Sequence, residues 1–172
     1  MKSATGLLVT LLLAGCATHY SALNPNPDRP AVIYSIPRAQ ALFVAHQAIQ
    51  TAARSYQADY VHIDEFDSGA VRAYQVTYQS RLHHFRVVRR LFVIPTTGEA
   101  ANGQEMDGFR FVIMRAHCRP FLGPQPGGDC DRPLVDALQT ALDATGAASP
   151  VMKLASLDKV YDVFSDPDFT NQ

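Results

Sequence analysis

The chain has 172 residues, with 15 basic and 16 acidic side chains, a formal net charge of −1 and 47% hydrophobic residues. A balance this close to neutral excludes bulk attraction to nucleic acid. An apolar content of this size excludes a disordered chain.

The chain opens Met1-Lys2-Ser3, a basic start, and continues into the apolar run GLLVTLLLA from Gly6 to Ala14. A membrane-spanning helix needs about 20 apolar residues, so this run is too short to cross a bilayer. A basic start, an apolar core of this length and small residues at its end describe a secretory signal over residues 1–15. The alternative, a buried first helix of the folded domain, lacks a polar face in Gly6 to Leu13. The run ends Leu13-Ala14-Gly15-Cys16, which resembles the lipobox of bacterial lipoproteins; the resemblance covers residues 1–16. It implies cleavage before Cys16, a thioether-linked diacylglycerol on that sulfur and usually a further acyl chain on its new amino group. Each buried methylene adds about 0.8 kcal/mol, and two or more chains make anchoring stable. Ala17 follows the cysteine where the family carries Asp for inner-membrane retention, so the resemblance implies the outer membrane, facing the periplasm.

Thr18 to Pro30 carries Pro25, Pro27 and Pro30 among Asn, Asp and Ser. This composition predicts a semi-rigid extended tether over residues 16–30. The remainder suits a single domain over residues 31–164, with a flexible tail over 165–172.

Within the domain, Ala31 to Ser35 predicts a short strand. Ser35 then resembles a helix N-cap, with Pro37 tolerated in the first turn. Leu42, Ala45, Ile49, Ala52 and Tyr56 recur at helical spacing, predicting an amphipathic helix over about Ile36 to Tyr56. Tyr60 to Phe66 reads as a strand, followed by a turn at Asp67-Ser68-Gly69. In Val71 to Tyr78, Tyr74, Val76 and Tyr78 share one face and Ala73, Gln75 and Thr77 the other. His84 to Ile94 is a basic, β-branched run that Pro95 is expected to end, with a polar loop from Thr96 to Gly108. Gly108 to Cys118 predicts another strand, with Phe109, Phe111 and Ile113 on one face. Leu134, Val135, Leu138, Ala141 and Leu142 then form a helical stripe, with Asp131 as a possible cap and Gly146 as the stop. A weaker helix is read over Ser156 to Phe164. The order β-α-β-β-β-β-α-α, joined mostly by short turns, predicts an α+β fold. Its core is an antiparallel sheet of four to five strands with helices packed on one face.

The three cysteines divide as one plus two. Cys118 and Cys130 flank RPFLGPQPGGD, a stretch able to fold back on itself, and a periplasmic address permits a disulfide between them. Two free thiols are the other reading, and a metal site would need further ligands. Phe121 and Leu122 lie inside this loop as a candidate contact site, or as a flap over the core.

Residues 68–98 contain no acid, while Arg72, Arg81, Arg86, Arg89 and Arg90 fall there with His83 and His84. Arg110, Arg115 and Arg119 lie on or just past the next strand. Arginine forms bidentate pairs with phosphate and carboxylate. Arg81, Arg86, Arg89, Arg90, Arg110 and Arg115 therefore make a candidate face for an anionic ligand or partner. The competing reading is a solvated sheet face, or pairing with the chain's own acids, of which eight fall between Asp129 and the end. His62 and Asp64 share a strand face with Asp67 at the turn, but a metal site needs three or four converging ligands. Adjacent strand residues point to opposite faces, so His83 and His84 cannot chelate one ion together in regular geometry. The sequence holds no G-x-S-x-G, H-E-x-x-H or phosphate-cradling glycine loop, and no catalytic residue, cofactor or metal is assigned.

The expected role is a membrane-anchored envelope lipoprotein acting as a non-catalytic adaptor or assembly component. The alternative is a binding module for lipid or another anionic envelope ligand; a hydrolase using a histidine is the third reading. In element order and address alone, the chain resembles the small outer-membrane lipoprotein of the lipopolysaccharide export machine, which plugs a β-barrel partner.

Overall fold

A computed structural model describes residues 20–22, 31–82, 85–114 and 132–154. Two helices pack on one face of one antiparallel sheet. In chain order the elements are β1 (Tyr20–Ala22), β2 (Ala31–Tyr34), α1 (Arg38–Ser55), β3 (Tyr60–Ser68), β4 (Val71–Ser80), β5 (Phe85–Glu99), β6 (Glu105–Met114), α2 (Arg132–Asp143), β7 (Ala148–Val151) and β8 (Lys153–Leu154). The expected class is observed, but the sheet is larger than four to five strands. It holds eight, in the order β3-β4-β5-β6-β2-β7, with β1 also on β6 and β8 on β5.

Strands β3 to β6 form the expected meander, because short turns leave each strand only its predecessor to pair with. Gly69, at a φ of 59°, makes the β3–β4 turn where a side chain would strain the backbone. The alternation read from the sequence sorts the two faces. Tyr74, Val76 and Tyr78 of β4, Leu91 and Val93 of β5, and Phe111 and Ile113 of β6 bury against the helices. From α1 this core receives Ala41, Val44, Ala45, Ala48, Ile49, Ala52 and Ala53, and from α2 Leu134, Ala137, Leu138 and Leu142. The five alanines let α1 approach the sheet and α2 closely. A smaller cluster of Val71, Ala73, Phe92, Ile94 and Val112 lies on the opposite face.

Four expectations are corrected. Ser35 does not cap α1: its Oγ donates to the Asp107 carbonyl at 3.1 Å, and Pro37 stands at the cap position without a side-chain hydrogen bond. Strand β5 does not stop at Pro95 but runs through it, pairing Pro95 with Phe109 and reaching Glu99. The proline is tolerated because β4 leaves β5 after Arg72↔Val93 and β8 joins it only at Gly98, so that side of Pro95 has no ladder among the described residues. The expected loop from Thr96 to Gly108 therefore shrinks to residues 100–104. Tyr20–Ala22 lies in the segment read as a tether, yet it pairs with Val112–Met114 of β6. Neither β7 nor β8 was foreseen; Asp131 and the helix over Ser156 to Phe164 lie outside the described residues.

The added strands close a ring. β7 pairs with β2, Met152 N donates to the Glu99 carbonyl at 2.8 Å, and β8 returns to β5. β5, β6, β2, β7 and β8 thus meet end to end around one end of the sheet. Two glycines allow the closure. A Cβ on Gly108 would lie 2.7 Å from the Tyr34 carbonyl oxygen, and one on Gly98 would lie 2.8 Å from a Val151 methyl. Gly108→Ala should destabilise the fold by about 2 kcal/mol or more, because backbone cannot yield. Gly98→Ala should cost less and be partly rescued by Val151→Ala, a coupling that urea denaturation of the double-mutant cycle measures.

Two core tyrosines differ in how their hydroxyls are satisfied. The Tyr78 hydroxyl donates to the Ile49 carbonyl at 3.3 Å, while the buried Tyr74 hydroxyl has no hydrogen-bond partner among the described residues. Burial pushes the Tyr74 hydroxyl up to about 12, with Glu65 adding to the shift, and raises that of Tyr78 as well. An unfolded tyrosine ionises near 10. Above that pH the unfolded chain releases protons that the folded one keeps. The stability these groups contribute is therefore whole below about pH 10 and is lost as pH rises through the folded values, by about 1.4 kcal/mol per pH unit per tyrosine. At neutral pH, Tyr74→Phe should be neutral or slightly stabilising, whereas Tyr78→Phe should cost about 1 kcal/mol. The alkaline decline in urea midpoint should be shallower in the double variant.

Candidate functional site

The candidate arginines do not form one face. Successive residues of β5 point to opposite sides of the sheet. Arg89 opposes Val76, on the helix side, whereas Arg86 and Arg90 oppose Gln79 and Gln75, on the helix-free side. Arg89 is 1% exposed, lies beside Tyr78 and donates from Nη1 to the Val88 carbonyl at 2.7 Å. It belongs to the core and cannot meet a ligand in bulk water. Arg90 is half-buried and donates from Nε to Gln75 Oε1 at 2.9 Å. Arg110 opposes Ile94, on the same side as Arg90 but beyond the apolar Phe92–Val112 pair.

Arg81 and Arg86 are exposed, one on either flank of the β4–β5 hairpin tip. The backbone N–H of Arg81 donates to Asp59 Oδ2 at 2.9 Å, which ties the tip to the start of β3. Leu82, next to Arg81, is 79% exposed. Arg115, Cys118, Cys130, Phe121 and Leu122 lie outside the described residues, as do Cys16, His83 and His84.

At the opposite end, acids and bases neutralise one another. On the helix side of β3, Glu65 and Asp67 both engage Arg72 of β4, with Arg72 Nε to Asp67 Oδ1 at 2.7 Å. Arg38 of α1 reaches Asp67 at 3.7 Å and also donates to the Ala70 carbonyl at 3.1 Å. His46 of α1 lies 3.2 Å from Glu65 and sets its ring edge-on against Tyr74 at 5.0 Å. These pairs tie α1 to the β3–β4 hairpin, each worth at most about 1 kcal/mol at this exposure. On the other side of β3, His62 and Asp64 do share a face, 3.0 Å apart. Asp67 is turned away from them toward Arg72, and among the described residues no group of three or more His, Cys, Asp and Glu side chains converges for a metal ion.

The third feature is an edge. β3 is nine residues long and is paired along its whole length with β4. Among the described residues no strand pairs with its other side. Such an edge presents backbone N–H and C=O groups that an extended segment of another chain can meet. Charges on Asp64, Glu65 and Asp67 restrain indiscriminate pairing there. Periodicity located this strand but not its position in the sheet; edge placement depends on a strand order that the sequence does not display. Leu82 was legible only as an apolar residue in a basic turn.

No helix among the described residues is long and apolar enough to cross a membrane. Comparisons with protein-family models, with curated proteins and with solved structures gave no match. The likeness in layout to an envelope-assembly lipoprotein therefore gains no support from structural comparison.

The burial contrast among the arginines has a direct consequence. Arg89→Ala should cost about 2 kcal/mol or more, through a core cavity and lost hydrogen bonds, whereas Arg86→Ala should stay within about 0.5 kcal/mol. Equal midpoints in urea would contradict the assignment of the two residues to opposite faces.

Proposed function

We propose that the chain is a lipid-anchored envelope protein acting as a non-catalytic adaptor, which takes an extended segment of a partner protein along the open edge of β3. The anchoring half of this reading rests on Leu13-Ala14-Gly15-Cys16 behind a short apolar leader. The adaptor half is supported by one observation: nine consecutive residues, Tyr60–Ser68, pair with β4 on one side, and among the described residues no strand pairs with the other. A strand added there gains main-chain hydrogen bonds at once, and the exposed side chains of Tyr60, His62 and Glu65 supply selectivity.

Each half has its own test. Cys16→Ser should leave the protein out of the membrane fraction, and intact mass should show acyl chains on wild-type Cys16. Photo-crosslinkers at Tyr60, His62 and Asp64 in living cells should capture one envelope protein, with none captured from Gln47 on the outer side of α1. Equal capture from both places, or none from β3, would overturn the adaptor assignment and leave the anchor standing.

A further inference from the structure

We propose that the β4–β5 hairpin tip, with Leu82 between Arg81 and Arg86, docks on the phospholipid surface that holds Cys16. The inference rests on the anchoring half of the reading above. It fixes which end of the domain faces the bilayer.

The register supplies the direction. Tyr20 pairs with Met114 of β6, and Met114 pairs with Arg90 of β5. Both ladders are antiparallel, so β1 and β5 run the same way on either side of β6. The N-terminal end of β1 therefore faces the same way as the N-terminal end of β5, the end that carries the β4–β5 tip. Three residues, 17–19, separate Cys16 from Tyr20. Whatever path they take, the Cys16 Cα lies within about 14 Å of the Tyr20 Cα. From Arg90, level with Tyr20 in the ladder, β5 extends five further residues to Phe85 before the tip begins. That is about 17 Å of strand toward the same side. The tip projects at least as far as the anchor reaches, so with the strands upright on the bilayer it meets the headgroups.

Charge and polarity at the two ends agree with this orientation. Among the described residues, the tip end exposes Arg81, Arg86, the apolar Leu82 and, at the last turn of α1, Arg54, beside Asp59, which already accepts the Arg81 backbone N–H. Tyr60, at the same end, is half exposed, a residue type that settles at headgroup level. The far end exposes Glu99, Glu105 and Asp107 around the β5–β6 loop, with one base, Lys153, opposite Glu99, and so keeps an acidic excess among these residues. An anionic bilayer attracts the first end and repels the second.

The chain contains no tryptophan, so Leu82→Trp provides a single fluorophore. The acylated full-length protein is placed in vesicles of equal parts phosphatidylcholine and phosphatidylglycerol. The indole at position 82 should emit to the blue of its value in water and be quenched by brominated lipid. A Phe43→Trp control on the outer side of α1 should do neither. Adding Arg81→Glu and Arg86→Glu should lower the docked-to-undocked ratio by more than about thirtyfold, the loss of two arginine attractions alone. Water-like, unquenched emission from Leu82→Trp protein that floats with the vesicles would overturn the docking while leaving the anchor intact. An unmodified Cys16 in the mass spectrum would overturn the anchoring reading and the orientation built on it. A blue shift that survives the charge reversal would overturn the role of the arginines.

Discussion

Strand β5 carries ladders to β4, β6 and β8, and every other element finds its place through those ladders or by packing on the faces they create. Through its middle, this strand buries side chains on both faces. Leu91 and Val93 enter the helix-side core, while Phe92 and Ile94 enter the smaller cluster behind it. A slip of one residue would exchange these sets and turn Leu91 and Val93 away from the helices, which is why the register is strongly specified.

The same strand explains how basic residues divide between structure and surface. Arginine recurs along β5 at positions of both parities, so a run that looks like a single patch in sequence is split by the pleat. Arg89 is committed to the core beside Tyr78, Arg90 is held by Gln75, and Arg81 and Arg86, on the flanks of the turn, are exposed. The candidate arginines that are exposed among the described residues thus lie at the hairpin tip and not on a sheet face, and the edge of β3 that no described strand covers is the surface on which the proposed adaptor role rests.

Much of the fold was legible because period is a local property. The stripe Leu134, Leu138 and Leu142, the alternation Tyr74, Val76 and Tyr78, and the turn at Gly69 all follow from spacing, and each is where spacing puts it. What escaped depends on neighbours distant in sequence. Pro95 looked like a stop because proline cannot serve a two-sided ladder; it is accommodated because β4 ends just before it. Ser35 looked like a cap, but its hydroxyl donates to the Asp107 carbonyl, 72 residues on, and no side chain caps α1. β7 is four residues long and contains Pro150, a composition that reads as loop until β2 is there to receive it. The arginines read as one candidate face in sequence; the ladder divides the described ones and places Arg89 on the side roofed by the helices, which spacing in the sequence does not display.

The pairing of Tyr20–Ala22 with β6 has a mechanical consequence. From Ala22 to Tyr34 the chain advances twelve residues, while their partners on β6, Val112 and Phe109, are three apart. A pull on the chain ahead of Tyr20 runs parallel to β6, so it loads the pairs at Tyr20, Ser21 and Ala22 in shear, together rather than one after another. Twelve residues can span about 40 Å, against about 10 Å between their partners on β6, so once those pairs part that difference in length is taken up before force arrives at Ile33 in the buried interior. The short segment thus behaves as a mechanical fuse that yields ahead of the fold.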